Sequence, residues 1–309
     1  MSEPLVSILI CTIRQDPRLE LTLESLKNQT YPNFELIYVD AIKDKRTPKF
    51  LELLERYSKF FKIKHVQDKP WEGMGNRPGI ANARNSGILY CAGDIICVTG
   101  DNTWLSIDWI QRHVNLVNNG FISVSPCCNI KESMKYHHFR GTLSKHKNHP
   151  TEIHLSLPNM LLSGSGTEEF DAPTDCRLPG LSDEIFFGKD KFIQVPAGYL
   201  HGVSFAISLD RYLNVNGQDE SFDKQGYGFE DCDFGARLNR MGFRIALDPA
   251  NWVVSINDKA NKPLNEMFGS SGEINKAKWE ESAQGSTPIW VNDNYNLRKL
   301  RNKLKWYEK

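Results

Sequence analysis

Ala83-Arg84-Asn85-Ser86-Gly87-Ile88-Leu89-Tyr90-Cys91-Ala92-Gly93-Asp94-Ile95-Ile96-Cys97-Val98-Thr99-Gly100-Asp101-Asn102 is the stretch whose reading decides the fold. It runs as a helix with polar positions, a tight Gly-Asp turn, an apolar β-branched strand from Asp94 to Thr99, and then an acidic residue at the strand's carboxyl end. A continuous apolar strand of this kind is covered on both faces, as in sheets flanked by helices. Open α/β sheets bind ligands beyond the carboxyl ends of their strands. A carboxylate at that position, here Asp101, can hold a divalent cation against a diphosphate.

Upstream, strand and helix patterns alternate. Val6 to Cys11 is a β-branched run, followed by apolar residues at helical spacing at Leu19, Leu23 and Leu26. Tyr31-Pro32-Asn33 reads as a turn, Phe34 to Val39 as a second strand ending at Asp40, Thr47 to Phe60 as a helix and Ile63 to Val66 as a third strand. Gly73 to Gly79 is a Gly/Pro loop before the helix Ile80 to Tyr90. This alternation predicts a parallel sheet with helices on its faces. Right-handed crossovers then put Thr12, Asp40 and Asp101 on one edge.

Downstream, a helix is expected from Trp109 to about Asn118 and a strand from Phe121 to Ser125. Residues 126–193 lose periodicity and include His137, His138, His146, His149 and His154; a long irregular insert in a compact domain reads as a functional or solvated loop. Order resumes with a strand at Gly202 to Ile207, a helix at Cys232 to Met241 and a strand at Phe243 to Leu247. The remainder, 259–309, is polar and turn-rich but carries Trp279, Trp290 and Trp306, and reads as a packed extension. Near its end Lys299, Arg301, Lys303 and Lys305 are expected to form a solvated helix face.

With 309 residues, 38 basic and 38 acidic side chains balance, so no global field favours nucleic acid or an anionic membrane. The first residues lack the basic leader of a signal peptide, and no apolar run is long enough for a membrane span, which points to a cytoplasmic protein, with peripheral membrane association left open. Seven cysteines, several in apolar runs, fit buried reduced thiols better than a disulfide framework. Cys127, Cys128, His137 and His138 match no standard zinc spacing.

Four segments resemble family 2 glycosyltransferases of the GT-A fold: Val6 to Thr12, Leu23 to Tyr31, Phe34 to Asp40, and the opening stretch. A later segment resembles the carboxyl-terminal part of β-1,4-galactosyltransferases: Leu200-His201-Gly202-Val203-Ser204-Phe205-Ala206, Val215-Asn216-Gly217 and Gly226-Tyr227-Gly228-Phe229-Glu230-Asp231-Cys232-Asp233. The resemblance implies a GT-A nucleotide-diphospho-sugar transferase domain over residues 1–258. A nucleotide-sugar-binding half would span 1–125 and an acceptor and catalytic half 194–258. It also implies inverting transfer from a nucleotide-diphosphate donor, commonly a UDP-sugar, to a glycan or other hydroxyl acceptor. Thr12 and Asp40 would cradle the base, with Arg14, Arg77 and Asn102 also on the donor. Asp101 would hold Mn²⁺ or Mg²⁺. Asp231 would be the catalytic base, Glu230 its acceptor-holding neighbour, and Tyr227 and His201 would line the acceptor site.

The residue types suit that chemistry. The attacking hydroxyl must lose a proton to a carboxylate within hydrogen-bond reach. The departing diphosphate needs its charge stabilised by a cation. Glu230 and Asp231 open a helix, where the dipole favours ionised carboxylates. The metal motif is thin: Gly100-Asp101-Asn102-Thr103 holds a single acid, and Ser255 stands where relatives often carry a histidine, with Asn257 or Asp258 offered instead by a shift of one or two residues. Two other readings compete. A sugar-nucleotide pyrophosphorylase would need a Gly-rich basic signature after the first strand, which Cys11-Thr12-Ile13-Arg14-Gln15 lacks. A non-catalytic nucleotide-sugar-binding relative accords with the thin metal motif but not with the retained Glu230-Asp231 pair.

Overall fold

The computed structural model describes residues 3–12, 14, 19–69, 79–130, 192–225, 228–248, 250–251, 253–256, 264–293 and 295–307. Arg77, Tyr227, Asn257, Asp258 and most of the expected insert lie outside the described residues. The first third alternates as expected: β1 (Val6–Thr12), α1 (Leu19–Lys27), β2 (Phe34–Asp40), α2 (Pro48–Ser58), β3 (Lys62–Val66), α3 (Ile80–Tyr90) and β4 (Ile95–Thr99). Short β5 (Thr103–Leu105), α4 (Trp109–Asn118), β6 (Phe121–Val124) and β7 (Cys127–Ile130) follow. The later half contributes β8 (Ile193–Val195), β9 (Ser204–Ser208), α5 (Leu209–Asn214), α6 (Glu230–Arg240), β10 (Arg244–Leu247), β11 (Val253–Ile256), α7 (Leu264–Ala283) and α8 (Leu297–Tyr307).

Among the described residues these strands form an eight-stranded sheet in the order β3-β2-β1-β4-β9-β6-β10-β8. The β3-β2-β1-β4 half is parallel throughout. Strand β9 runs antiparallel between β4 and β6, and β8 caps the far edge antiparallel to β10. A small sheet, β5-β11-β7, lies beside it. The fold is therefore α/β, with a mostly parallel central sheet flanked by helices, as the GT-A resemblance implies.

Alternation along the strands sorts the core onto two faces. Leu9, Ile37, Val98 and Phe205 pack with residues of α3, α5, α6 and α8. Ile8, Ile10, Leu36, Tyr38, Cys97 and Ala206 pack on the other face with residues of α1, α2 and α4. Helix α3 is buried from Ala81 to Leu89 with hardly any amphipathic contrast, so periodicity alone says little about it. It lies close on the sheet because Gly87 has no side chain: a Cβ there would sit 2.2 Å from Leu9 Cδ1 and 2.8 Å from Val39 Cγ2.

Several details differ from the sequence reading. Helix α6 begins at Glu230 and not at Cys232, because Phe229 takes a left-handed conformation (φ 67°) that starts the helix there. Strands β5, β7, β8 and β11 are only three or four residues long, too short to carry a period. The extension holds two helices, the first of 20 residues. Arg301 is not on a solvated face. It is buried and donates from Nη2 to the Cys91 carbonyl at 2.7 Å, while Leu297 beside it enters the core. Cys11, Cys91, Cys97, Cys127 and Cys232 form no disulfide among the described residues. No helix among the described residues is long and apolar enough to cross a membrane.

Candidate active site

Three strand exits meet at one edge. Thr12 and Asp40 are register partners at the ends of β1 and β2. The Thr12 hydroxyl donates to Asp101 Oδ2, just past β4, and the Arg14 N–H donates to Thr12 Oγ1 at 3.2 Å. Arg14 Nε stands 3.6 Å from Asp101 Oδ1, and its side chain remains 42% exposed, so it can also reach a ligand. Burial raises the Asp101 carboxyl above its usual range, opposed by the Arg14 charge and the Thr12 hydrogen bond. Asn102 is buried alongside.

Asp40 is fully buried and its oxygens are engaged within the protein. Arg46 grips it with two bonds, Nε to Oδ2 at 2.7 Å and Nη2 to Oδ1 at 2.9 Å. His65 Nε2 is 2.9 Å from Oδ2, and the Ile42 N–H donates to Oδ1 at 3.1 Å. Burial alone would raise this carboxyl, but the bonds from His65 and Arg46 outweigh it and hold it below the usual carboxylate range. Sequence reasoning missed both partners. Arg46 sits in a charged loop without periodicity, and His65 is one polar residue on a half-exposed strand. Their signal, a strand-end acid with a cation a turn later, is too common to single out.

The second half of the site comes in through β9. Its pairing with β4 ends at Thr99–Ser204, so Asp101 and Gly202, each two residues beyond that pair, leave the sheet on the same side. The Gly202 N–H donates to Asp231 Oδ2 at 2.7 Å, and Asp231 Oδ1 accepts from the Cys232 N–H at 2.8 Å. Glu230 and Asp231 occupy the first turn of α6, where free N–H groups favour negative charge. The residue before them, Phe229, is stacked on Trp279 at 5.6 Å, which helps hold a conformation that costs a non-glycine residue about 1–3 kcal/mol.

Glu230 is buried and meets Arg84 from α3, Nη1 to Oε1 at 3.2 Å. Burial, and then the Asp231 charge, push the Glu230 carboxyl up, while Arg84 opposes them. Arg84 also donates to Gln218 Oε1 at 3.1 Å. Asn85 joins the Gln218 carbonyl and Glu220, so both residues bridge the helix to later loops. His201 is buried and its Nε2 donates to the Ser125 carbonyl at 3.2 Å, a contact that fixes the turn before Gly202.

The donors around Asp101 are oxygens, a carboxylate with an amide beside it. Among the described residues no three His, Cys, Asp or Glu side chains converge into a preformed metal cage. Ser255 is buried opposite Thr103 in the β11–β5 pair, which brings the end of β11 beside the Asp101-Asn102 turn. Such a donor set suits a hard cation that takes its remaining ligands from a diphosphate and water.

The family model for glycosyl transferase family 2 matches residues 7–166, just over half of the chain. The chain belongs to glycosyl transferase family 2. The match includes β1 to β4 and the Asp101 turn, but it ends before β9 and α6, so the β-1,4-galactosyltransferase resemblance of the later segment stands outside it. Two curated relatives agree with the family. The chain is 27% identical over 112 residues to the putative glycosyltransferase EpsH of Bacillus subtilis (strain 168), covering 36% of this chain and 30% of that protein. It is 24% identical over 258 residues to the validoxylamine A glucosyltransferase of Streptomyces hygroscopicus subsp. limoneus, covering 81% of this chain and 51% of that protein. The chain thus spans about half or less of the length of these relatives.

Solved structures support the family's fold. The mannosyltransferase PcManGT from Pyrobaculum calidifontis, in complex with GDP-Man and Mn²⁺, superposes with a TM-score of 0.52 at 14% identity, over 92% of this chain and 64% of that one. S. aureus TarS 1–349 in complex with UDP gives 0.50 at 13% identity, over 91% and 70%.

Proposed function

We propose that this chain is an inverting glycosyltransferase that moves a sugar from a nucleoside-diphosphate donor, UDP foremost, to a hydroxyl of a glycan or other acceptor. The observation that carries the reading is the joining of two distant acids at one sheet edge. Asp101 leaves β4 where Gly202 enters β9, and Gly202 hands its N–H to Asp231. Neighbours of the same fold that bind GDP-Man or UDP support a nucleoside-diphosphate donor.

In this reading Asp231 takes the proton from the acceptor hydroxyl as it attacks the anomeric carbon from the face opposite the diphosphate. Both of its oxygens accept backbone N–H bonds, which fixes the carboxylate plane and leaves lone pairs for the hydroxyl. Glu230 and His201 belong to the acceptor side with Tyr227. Thr12 lies on the base side, which Asp40, its oxygens taken up by Arg46, His65 and the Ile42 N–H, shapes through those partners, and the half-exposed Arg14 faces the diphosphate with Arg77. A divalent cation held by Asp101, with Asn102 beside it and Asn257 or Asp258 as further oxygen donors, would neutralise charge on the departing diphosphate. One carboxylate predicts a weak metal site.

Asp231→Asn tests the reading. It should abolish transfer, measured as acceptor-dependent UDP release, while UDP affinity by calorimetry stays within about twofold. Transfer surviving in that variant would refute the base assignment. No UDP release with any donor and acceptor, despite UDP binding, would favour the non-catalytic alternative. Titrating Mn²⁺ against UDP affinity checks the metal: UDP should bind more tightly with Mn²⁺ present, and Asp101→Ala should remove that gain.

A further inference from the structure

We propose that Arg84 is the positioning residue of the acidic pair, bridging Glu230 directly and Asp231 through the peptide of Gly202. The inference rests on the reading of Asp231 as base and goes beyond it, to what keeps that base and its neighbour in place.

Arg84 is an odd residue for its position. It lies in a helix buried along its length and is itself only 5% exposed. A guanidinium costs several kcal/mol to bury unless its partners are well placed. Here one edge of the fork is met by Gln218 and Glu230, at 3.1 and 3.2 Å from Nη1. The rest of the group lies against Gly202, where a Cβ would fall 1.5 Å from Nη2 and 2.4 Å from the guanidinium carbon. Gly202 is the residue whose N–H donates to Asp231 Oδ2 at 2.7 Å. One planar cation therefore contacts the first acid and supports the peptide that orients the second. A side chain at residue 202 would have to displace the Arg84 guanidinium.

The charges explain why a cation is wanted. Adjacent carboxylates repel, and burial with the neighbouring Asp231 charge already pushes the Glu230 carboxyl up, so losing the opposing Arg84 charge would push it further. The charged groups facing Glu230 among the described residues are Asp231 on its own helix, Asp223 from the 220–225 turn and Arg84 from α3. The other elements packed on the start of α6 offer a stacked ring, Trp279, and main-chain carbonyls of the 197–199 turn. Arg84 is thus the cation in that set. It limits how far burial and Asp231 push the Glu230 carboxyl up, and its bond to Oε1 fixes how that carboxyl is aimed.

The test compares Arg84→Met, Gly202→Ala and the double variant Arg84→Met/Glu230→Gln in the full chain. Arg84→Met should lower kcat by tenfold or more while UDP affinity changes by less than about twofold. The acid limb of its kcat/KM profile should move up by about one pH unit, since Glu230 then protonates more readily. Gly202→Ala should shift the limb in the same direction by displacing the guanidinium. If Arg84→Met melts early, the double variant, which buries no lone acid, should regain melting temperature and lose the shifted limb. An unchanged acid limb in folded Arg84→Met would overturn the proposal, as would a loss of activity that merely tracks the folded fraction. Transfer surviving in Asp231→Asn would instead indict the base assignment, so the two failures are distinguishable.

Discussion

Asp40 stays ionised inside the protein because Arg46, His65 and a backbone N–H converge on it. Removing one partner of a buried ion pair strands the other, at about 3–5 kcal/mol. Arg46→Met should therefore lower stability by that order in chemical denaturation. The pH dependence has a definite sign. A carboxyl whose folded pKa lies below its unfolded one contributes stability above the unfolded value of about 3.9, and loses it as pH falls through the folded value. Without Arg46 the folded value rises, so thermal melts should show acid destabilisation setting in at higher pH than in the native chain. Melts with superimposable pH profiles would refute this. Thr12, Asp40 and Asp101 were legible in the sequence because a strand end is a local feature. Arg46, His65 and the grip of Arg84 on Glu230 were not, since each joins segments whose approach only the folded chain sets.

At the scale of elements, α3 shows how a boundary and its cause separate. Its span follows from the sequence, yet its first residue follows Gly79, which has no side chain to cap it. The cap is Asp223, from a turn late in the chain, accepting from the Ala81 and Asn82 N–H groups at 3.2 and 2.9 Å. Loss of a capping acid costs about 1–2 kcal/mol. Asp223→Ala should cost that much and speed hydrogen exchange at the Ala81 and Asn82 amides first. Unchanged exchange there would show that the cap carries no stability. Helix α6 is the converse case. Its acidic opening was legible, but its start at Glu230 is set by the left-handed Phe229, which no propensity favours. The short strands β5 and β11 were illegible because three or four residues carry no period, and their pairing is what brings Ser255 near the Asp101 turn.

Across the whole molecule, the carboxyl-terminal extension is stitched into the site's supporting loops. Asn216 Nδ2 donates to the carbonyls of Val291, Asn292 and Tyr295, and its Oδ1 accepts from the Leu297 N–H at 2.7 Å. The Tyr295 hydroxyl donates to Glu220, which also binds Lys69 and Asn85. Deleting residues 289–309 would leave buried polar groups unpaired, each costing about 1–3 kcal/mol, besides emptying the Leu297 site. The truncated chain should melt many degrees lower or fail to fold cooperatively. A truncation that melts like the intact chain would show the extension to be dispensable. The polar composition of this region concealed its role, since its ties are single side chains and not an apolar stripe.

Strand β9 has one more consequence, for the order in which the molecule is made. It fills the gap between β4 and β6, both finished long before it is synthesised. Until residues 204–208 emerge from the ribosome, β4 has an open hydrogen-bonding edge and the early strands cannot join the later ones. Such distant pairings close slowly, and an unpaired edge invites other chains. The amino-terminal half should therefore be the aggregation-prone intermediate during biosynthesis. A fragment ending before β9 should be insoluble alone and rescued by co-expression with the remainder.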